Sequence, residues 1–445
     1  MKTHEVRGRK EHLAERSAEI VRWFTADYLR QDGLPVTYLD GIDGRIISSD
    51  HILNDLGDYL PFVRFFGNEQ FCRQQIASLK LHLERGILKP RARLFGLPLS
   101  TAFEHTDLLL GLIDYYLLEK DDQIINLAVE ITEQILKKLN RDNGFRSFYL
   151  HKLNLALPVF SSVDGTFIEL LTNLYVLTEE RRYLKIATDI WKRMRSIPVF
   201  RETSLFPNLY VVSNNRFLSR VLGLYKSFRV INLMKHNTNT LFGFLELYKV
   251  GQNPEIEVDI NRWVDSVETN ALSAEGGVYR HLESSNGTVQ TRTTIDLTAG
   301  FAVIDFLCDC MWLLKRERFL TLAEKVADFW LNRQSASTGL FPAEADASYS
   351  YLDSETDMVI ALMKLHELTS EDKYRAAALR AFDGVLEHHR TEKGYVLSVD
   401  ITGGKIVNPG IKTKYVSLFM KALILFMLGK PIYQNPELHN LLKDR

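Results

Sequence analysis

Residues 163–187, VDGTFIELLTNLYVLTEERRYLKIA, read as an apolar helix, a short turn and an amphipathic helix, and residues 354–378, SETDMVIALMKLHELTSEDKYRAAA, repeat that plan. Leu174, Leu177, Thr178, Tyr183 and Ala187 reappear as Leu365, Leu368, Thr369, Tyr374 and Ala378, and Asp164 is matched by Glu355. Residues 105–131 align on the first copy without a gap, placing Leu118, Ile124 and Ala128 on Leu177, Tyr183 and Ala187. Residues 298–331 do the same with Phe319 and Ala323. Residues 235–250 supply another first helix, and 48–83 and 412–430 read as weaker first and last copies. Seven first helices thus recur at roughly 55 to 75 residues, a period that suits a two-helix unit with a long loop.

The two helices of a unit differ in character. The first is apolar nearly all round, as in LLLGLIDYYLL (108–118) and FAVIDFLCDCMWLL (301–314). The second carries charge along one face, as in YLKIATDIWKRM (183–194). A helix apolar on every side must be enclosed, whereas an amphipathic one faces solvent. A closed ring of first helices wrapped by a ring of second helices satisfies both patterns and needs no capping repeat. The sequence therefore predicts an all-α (α/α) toroid of about seven helical hairpins, six being the alternative count. It would be one domain, with residues 1–45 as an N-terminal helix and lead-in, 46–430 as the repeats and 431–445 as a tail. Residues 276–296, turning at Asn286-Gly287, and 394–409, around Gly403-Gly404, read as β-hairpins. Residues 206–217 read as a strand pair or a loop. Such insertions gather on one face of a ring, where binding surfaces form.

With 55 Lys and Arg against 56 Asp and Glu, the chain offers no electrostatic case for nucleic acid or anionic membrane. Three cysteines are too few for a disulfide framework and fit a reducing compartment. The first residues carry no apolar core of signal-peptide type, and no uninterrupted apolar run is long enough to span a membrane. The expectation is a cytoplasmic protein whose partner is neither nucleic acid nor a bilayer.

Polar residues collect just before or within the first turn of each inner helix. They are Asp50 and His51; Glu104, His105 and Asp107; Asp164, Thr166 and Glu169; His236, Asn237 and Asn239; Arg292 and Asp296; Asp353, Glu355 and Asp357; and Lys412 and Lys414. Each acid alone reads as a helix cap. His105, His236 and Lys412 do not, because cations are unfavourable at the positive end of a helix. In a closed ring these positions converge on one end of the central cavity. A carboxylate-rich pocket suits glycoside hydrolysis, in which one protonated acid serves the leaving oxygen and a carboxylate activates water or attacks. Glu355 or Asp357 would pair with Asp107, Asp164 or Asp296 across the ring. Asp50, His51, Glu104, His105, Glu169, His236, Asn237, Asn239, Tyr279, Arg292, Lys412 and Lys414 would position an oligosaccharide or glycan substrate. Tyr38, Tyr149, Tyr210, Tyr279, Phe341, Tyr349 and Tyr351 could stack on sugar faces, with loop packing as the alternative. In LDSETDM, Asp353 reads as a cap, and Glu355 and Asp357 lie about 200° apart on a helix, so only one can point straight into the cavity. Asp164 and Glu169 lie about 140° apart. A uronic-acid lyase or a sugar epimerase is the nearest rival, and a non-catalytic scaffold is the reading from another class.

Metal sites find little support. DGIDGRIISSD (40–50) lacks the spacing of a calcium loop, Cys308 and Cys310 diverge on their helix, and His388-His389 read as cations at a helix C-terminus. There is no Walker loop, dinucleotide fingerprint or nucleophile elbow, so the residues themselves imply no cofactor.

The pattern resembles the (α/α)-toroid carbohydrate-active enzymes, which include glycosidases, unsaturated uronyl hydrolases, polysaccharide lyases and sugar epimerases. With seven hairpins it is faintly similar to glycoside hydrolase family 47, the class I α-mannosidases, whose ring is closed by a β-hairpin and whose catalysis is inverting and calcium-dependent. GIKTKYVSLFMKALILF (410–426) is similar to that family's last inner helix, where a threonine binds calcium. Thr413 matches that threonine, while Lys412 stands where an acid usually precedes it. The resemblance implies the fold and the general placement of the site.

Overall fold

Among the described residues, seven apolar helices stand as the staves of a ring, and seven amphipathic helices wrap them. The computed structural model describes residues 2–30, 33–48, 52–84, 87–88, 92–94, 96–141, 144–211, 230–285 and 288–428. In chain order its helices are α1 (Lys2–Arg22), α2 (Ile52–Phe65), α3 (Glu69–His82), α4 (Ala102–Glu119), α5 (Asp122–Leu139), α6 (Thr166–Thr178), α7 (Arg181–Arg195), α8 (Pro198–Thr203), α9 (Asn239–Gly251), α10 (Pro254–Ser266), α11 (Leu297–Leu314), α12 (Glu317–Leu331), α13 (Leu352–Thr369), α14 (Asp372–Gly384) and α15 (Thr413–Leu428). The inner staves follow the order α2, α4, α6, α9, α11, α13 and α15, each packed on the next, and α15 returns to pack on α2. Outside them, α3, α5, α7, α10, α12 and α14 each pack on the inner helix that precedes them in the chain.

The last inner helix takes its outer partner from the other end of the chain: α1 packs on α15. The expected N-terminal helix thus supplies the second half of the seventh unit, a pairing the sequence reading did not assign. A strand, Tyr38–Asp40, makes the same closure by pairing with Gly410–Lys412, with Leu39 opposite Ile411.

The repeated residues have identifiable duties. Ile124, Ala128, Tyr183, Ala187, Phe319, Ala323, Tyr374 and Ala378 are all buried where the outer ring meets the inner. Thr178 and Thr369 end their inner helices in the same way. Each hydroxyl donates to the carbonyl four residues back, Leu174 or Leu365, and accepts the amide two residues ahead, Glu180 or Glu371. α11 is long and apolar enough to cross a membrane by length and composition; here it is a stave packed against α9, α12 and α13.

Five inner helices stop on an exposed residue in the left-handed region: Lys120, Glu179, Gln252, Lys315 and Ser370, with φ between +44° and +61°. Each donates its N–H to the carbonyl four residues back, at Tyr116, Tyr175, Tyr248, Met311 and His366. A side chain in that region costs roughly 1–2 kcal/mol, and glycine gives back part of this through the unfolded chain. Gln252→Gly and Lys315→Gly are therefore expected to raise stability by about 0.5–1 kcal/mol each in urea titrations.

Short antiparallel strands lead into every inner helix: Ile46–Ser48, Leu97–Thr101, Val159–Ser161, Val230–Asn232, Thr288–Arg292, Tyr349–Tyr351 and Gly410–Lys412. All the small sheets they form therefore sit at the N-terminal end of the ring. The expected hairpins are present as His281–Ser285 with Thr288–Arg292 and as Ser398–Asp400 with Ile406–Asn408; Asn286 and Gly287 lie outside the described residues. Leu209–Val211 is a strand that pairs with Val159–Ser161, and residues 212–217 lie outside the described residues.

Candidate active site

The inner helices are apolar on all sides but one. Along α4, Leu108, Leu109, Leu112 and Ile113 are buried, whereas Phe103, Asp107, Leu110 and Asp114 stay half-buried. Steps of three and four residues put such a set on a single helix face. The other staves show the same stripe: Asp58 on α2; Glu169 and Asn173 on α6; Asn239, Phe242, Glu246 and Lys249 on α9; Asp305 and Asp309 on α11; Asp353, Asp357 and Lys364 on α13; Lys414, Leu418 and Lys421 on α15. Charges reach one another between staves, so these stripes face the ring axis and together line a polar channel.

Ion pairs hold part of that lining. The Lys414 ammonium lies 3.0 Å from Asp58 Oδ2 and 3.2 Å from Asp107 Oδ2, joining α15, α2 and α4. Lys421, one heptad further along α15, lies 3.2 Å from Asp58 Oδ1. Lys364 bridges Asp305 at 2.6 Å and Asp309 at 3.0 Å, and Lys249 pairs with Glu246. Asp357, Glu169 and Asp114 form no hydrogen bond or ion pair with a described residue.

This division sets the protonation states. Burial pushes the Asp58 carboxyl up, but Lys414 and Lys421 outweigh it and hold the group below the ordinary aspartate value. Asp357 is pushed up to about 8 by burial and then by Asp353, with Asp305 and Asp58 adding to the effect against Lys421. Glu169 reaches about 8 through burial and the nearby Glu246, and Asp114 about 6 through burial. Asp353 reaches about 6 through burial, opposed by its hydrogen bond from the Ser354 amide. Around neutral pH the channel therefore holds protonated carboxyls beside an ionised one, the arrangement that acid–base chemistry requires.

The residues singled out in the sequence divide accordingly. Asp107, Glu169, Asn239, Asp357 and Lys414 line the channel. Asp296 is a cap: Oδ1 accepts the Ala299 amide at 3.1 Å, and Oδ2 pairs with Arg280 at 3.0 Å. Asp164, in the turn Ser162–Gly165 ahead of α6, is sealed from solvent. Its oxygens lack a partner in hydrogen-bond geometry, Ser147 and the Phe103 amide being nearby donors, and burial pushes it up to about 7. Asn237 is spent on structure, accepting from the Phe206 amide and Trp263 Nε1 and donating to the Phe206 and Asn232 carbonyls. His105 is buried with Nδ1 2.7 Å from the Thr101 carbonyl, and Glu104 lies half-buried in the same turn. His236 Nδ1 accepts the Val163 amide, and burial, followed by Lys235, drives its pKa down to about 3, so the ring is neutral. Tyr279 lies 6.0 Å under the Arg292 guanidinium, whose Nε donates to the Asn270 carbonyl. Lys412 reaches the Tyr415 hydroxyl at 3.4 Å. Among the aromatics, Tyr149 and Phe341 are buried, as loop packing requires. Asp50 and His51 lie outside the described residues.

Glu355 differs sharply from its neighbour Asp357. It is fully buried, and Oε1 accepts from Ser350 Oγ at 2.8 Å and from the Phe341 amide at 2.5 Å, while Oε2 has no partner. Burial pushes it up to about 8, against both hydrogen bonds. Only one of the two acids could face the cavity, and that one is Asp357. A carboxyl raised from 4.5 to about 8 stabilises the fold while protonated, and this contribution is lost as pH rises between those values. Glu355→Gln is therefore expected to match wild-type melting at pH 5, exceed it at pH 9, and leave turnover unchanged. Destabilisation at both pH values would contradict this.

His389 also departs from expectation. It is buried, Nδ1 lies 2.9 Å from the Val396 carbonyl, and burial pulls its pKa down to about 4, so it is a neutral strut and not a cation at a helix end. Sequence reasoning missed Asp58, Asp114, Glu246, Lys249, Asp305, Asp309, Lys364 and Lys421. Their signal was a lone charge in an otherwise apolar helix, often at heptad spacing, as in Asp107 with Asp114 and Lys414 with Lys421.

Calcium at Thr413 does not fit the residues present. The Thr413 hydroxyl donates to Asp55 Oδ2 at 2.8 Å, both groups are buried, and Lys412 and Lys414 flank the position with ammonium groups. Calcium takes six to eight oxygens, and among the described residues no three His, Cys, Asp or Glu side chains gather as a metal-ligand set.

No protein-family model matches the sequence, and no curated protein matches it. Solved structures match the fold. The α-1,2-mannosidase from Trichoderma reesei superposes with a TM-score of 0.68 at 13% identity, covering 94% of this chain and 93% of that one. D-mannose isomerase gives 0.61 at 9% identity, over 94% and 98% of the two chains. An unsaturated glucuronyl hydrolase specific for heparin gives 0.54 at 11%, over 93% and 96%. The chain has the (α/α)-toroid fold that these carbohydrate-active enzymes share.

Proposed function

We propose that the protein is a carbohydrate-active enzyme, and within that class a glycoside hydrolase. One observation carries the reading: Asp357 and Asp58 line the same channel, and their surroundings push their protonation in opposite directions. A glycan entering from the hairpin end would meet Asp357 as a proton donor to the glycosidic oxygen. Asp58, kept ionised by Lys414 and Lys421, would stabilise the developing positive charge on the sugar. Lyase or epimerase chemistry on uronic acids is less well served, since the channel lysines at 249, 364, 414 and 421 are all engaged by channel carboxylates. A substrate carboxylate would meet occupied cations.

A panel of labelled oligosaccharides tests the reading with wild type, Asp58→Asn and Asp357→Asn. Wild type is expected to cleave at least one glycan, and each variant to lose at least a hundredfold in kcat/KM. If wild type neither cleaves nor binds any member of the panel, the hydrolase reading fails.

A further inference from the structure

We infer that the Lys414 ammonium stands in place of a divalent metal in the channel and positions the carboxylates around it. This rests on the hydrolase reading above. Thr413, where the seven-hairpin resemblance would put a calcium ligand, turns into the wall and is spent on Asp55. One residue further, Lys414 turns into the channel, and its nitrogen sits between carboxylates from two other staves, 3.0 Å from Asp58 and 3.2 Å from Asp107. Lys421 covers the second oxygen of Asp58 at 3.2 Å. Both oxygens of Asp58 thus already face ammonium groups, and a divalent ion brought there would displace or repel two fixed charges.

The geometry gives Lys414 two duties. It ties α15 to α2 and α4, where the last stave closes on the first, and it fixes the rotamer of the Asp58 carboxylate that faces substrate. A surface ion pair would do neither, but this one is largely enclosed, with the lysine side chain 29% exposed and Asp58 17%. Lys414 is on this reading a positioning residue, since it acts through Asp58.

Calcium titration of wild type by calorimetry, with melting curves in calcium and in EDTA, reads the metal half of the inference without any substrate. No binding heat and no shift in Tm are expected. Binding at micromolar calcium with a rise in Tm would overturn the inference. On a glycan that wild type cleaves, Lys414→Arg is expected to keep turnover within about fivefold. Lys414→Ala should lose about a hundredfold and recover at least tenfold in added ethylammonium, a rescue that a merely structural role would not give. An alanine variant as active as wild type, or a loss that only calcium repairs, would overturn it. If the alanine variant does not fold, the arginine variant and the calcium titration decide. Should no glycan be cleaved, the hydrolase reading falls, while the calcium result still stands for or against the cation.

Discussion

Asp357→Asn is expected to lower glycan turnover by about a thousandfold, within the range that a positioned general acid contributes, while leaving the fold intact. Asparagine keeps the size and an acceptor oxygen but cannot give up a proton at neutral pH. The loss should shrink on substrates with a good leaving group, such as an activated aryl glycoside, because their departure needs little protonation. Asp58→Asn should show no such relief. The variant should also be at least as stable as wild type. A carboxyl pushed up to about 8 by burial and by Asp353 favours the fold only while protonated, and that contribution drains away as pH climbs from the ordinary aspartate value. Melting curves at pH 6 and pH 9, beside turnover on both kinds of substrate, check each part. A fall in activity that tracks a fall in Tm would place Asp357 in the scaffold.

Gly111→Val is expected to cost more than about 4 kcal/mol, enough to abolish soluble folded protein, because overpacking here meets backbone on both sides. A Cβ on Gly111 would lie 2.1 Å from the Gly57 carbonyl oxygen, and one on Gly57 would lie 2.4 Å from the Asp107 carbonyl. α2 and α4 touch through these two glycines, and no side chain stands between them to move aside. The pair Gly165 and Gly243 does the same for the turn before α6 and α9, where a Cβ on Gly243 would come within 2.4 Å of the Gly165 carbonyl. Gly251→Ala is the control, since a Cβ there meets nothing within 4 Å. Yield and urea midpoints of the three proteins check it. A Gly111→Val protein within about 1 kcal/mol of wild type would contradict so close a contact.

The ring was legible because its defining residues have local causes. An all-round apolar helix followed by an amphipathic one fixes which is inner, and the repeated Tyr183 and Ala187 type positions mark the seam between the rings. The role of α1 was not legible, because its partner α15 lies nearly the whole chain away and no period can reveal that. Nor were most entry strands, which at three residues are too short to show alternation. The site was legible only at its mouth: Asp107, Glu169, Asn239, Asp357 and Lys414 were named and line the channel, but the charges deeper along the staves were not. Helix N-termini attract polar residues for the sake of the backbone, so Asp296 and Asn237 turned out to serve amides and carbonyls, and Glu355 an amide and a hydroxyl. A charge in the middle of an apolar helix has no free backbone group to bind and must answer to something across the ring. Asp58, Asp114, Lys364 and Lys421 are of that kind, and a search for them would have outlined the channel.

The most direct measurement is the pH dependence of kcat/KM on a glycan that the wild-type protein cleaves. Asp357 must keep its proton and Asp58 must have lost its own. The rate should therefore hold steady from pH 5 upward and fall with a midpoint near pH 8, where Asp357 ionises. Its acid limb should lie below the ordinary aspartate range, where Asp58 gains a proton. A rate still flat at pH 10, or one already lost by pH 6, would contradict the assignment of Asp357 and Asp58 as the working pair.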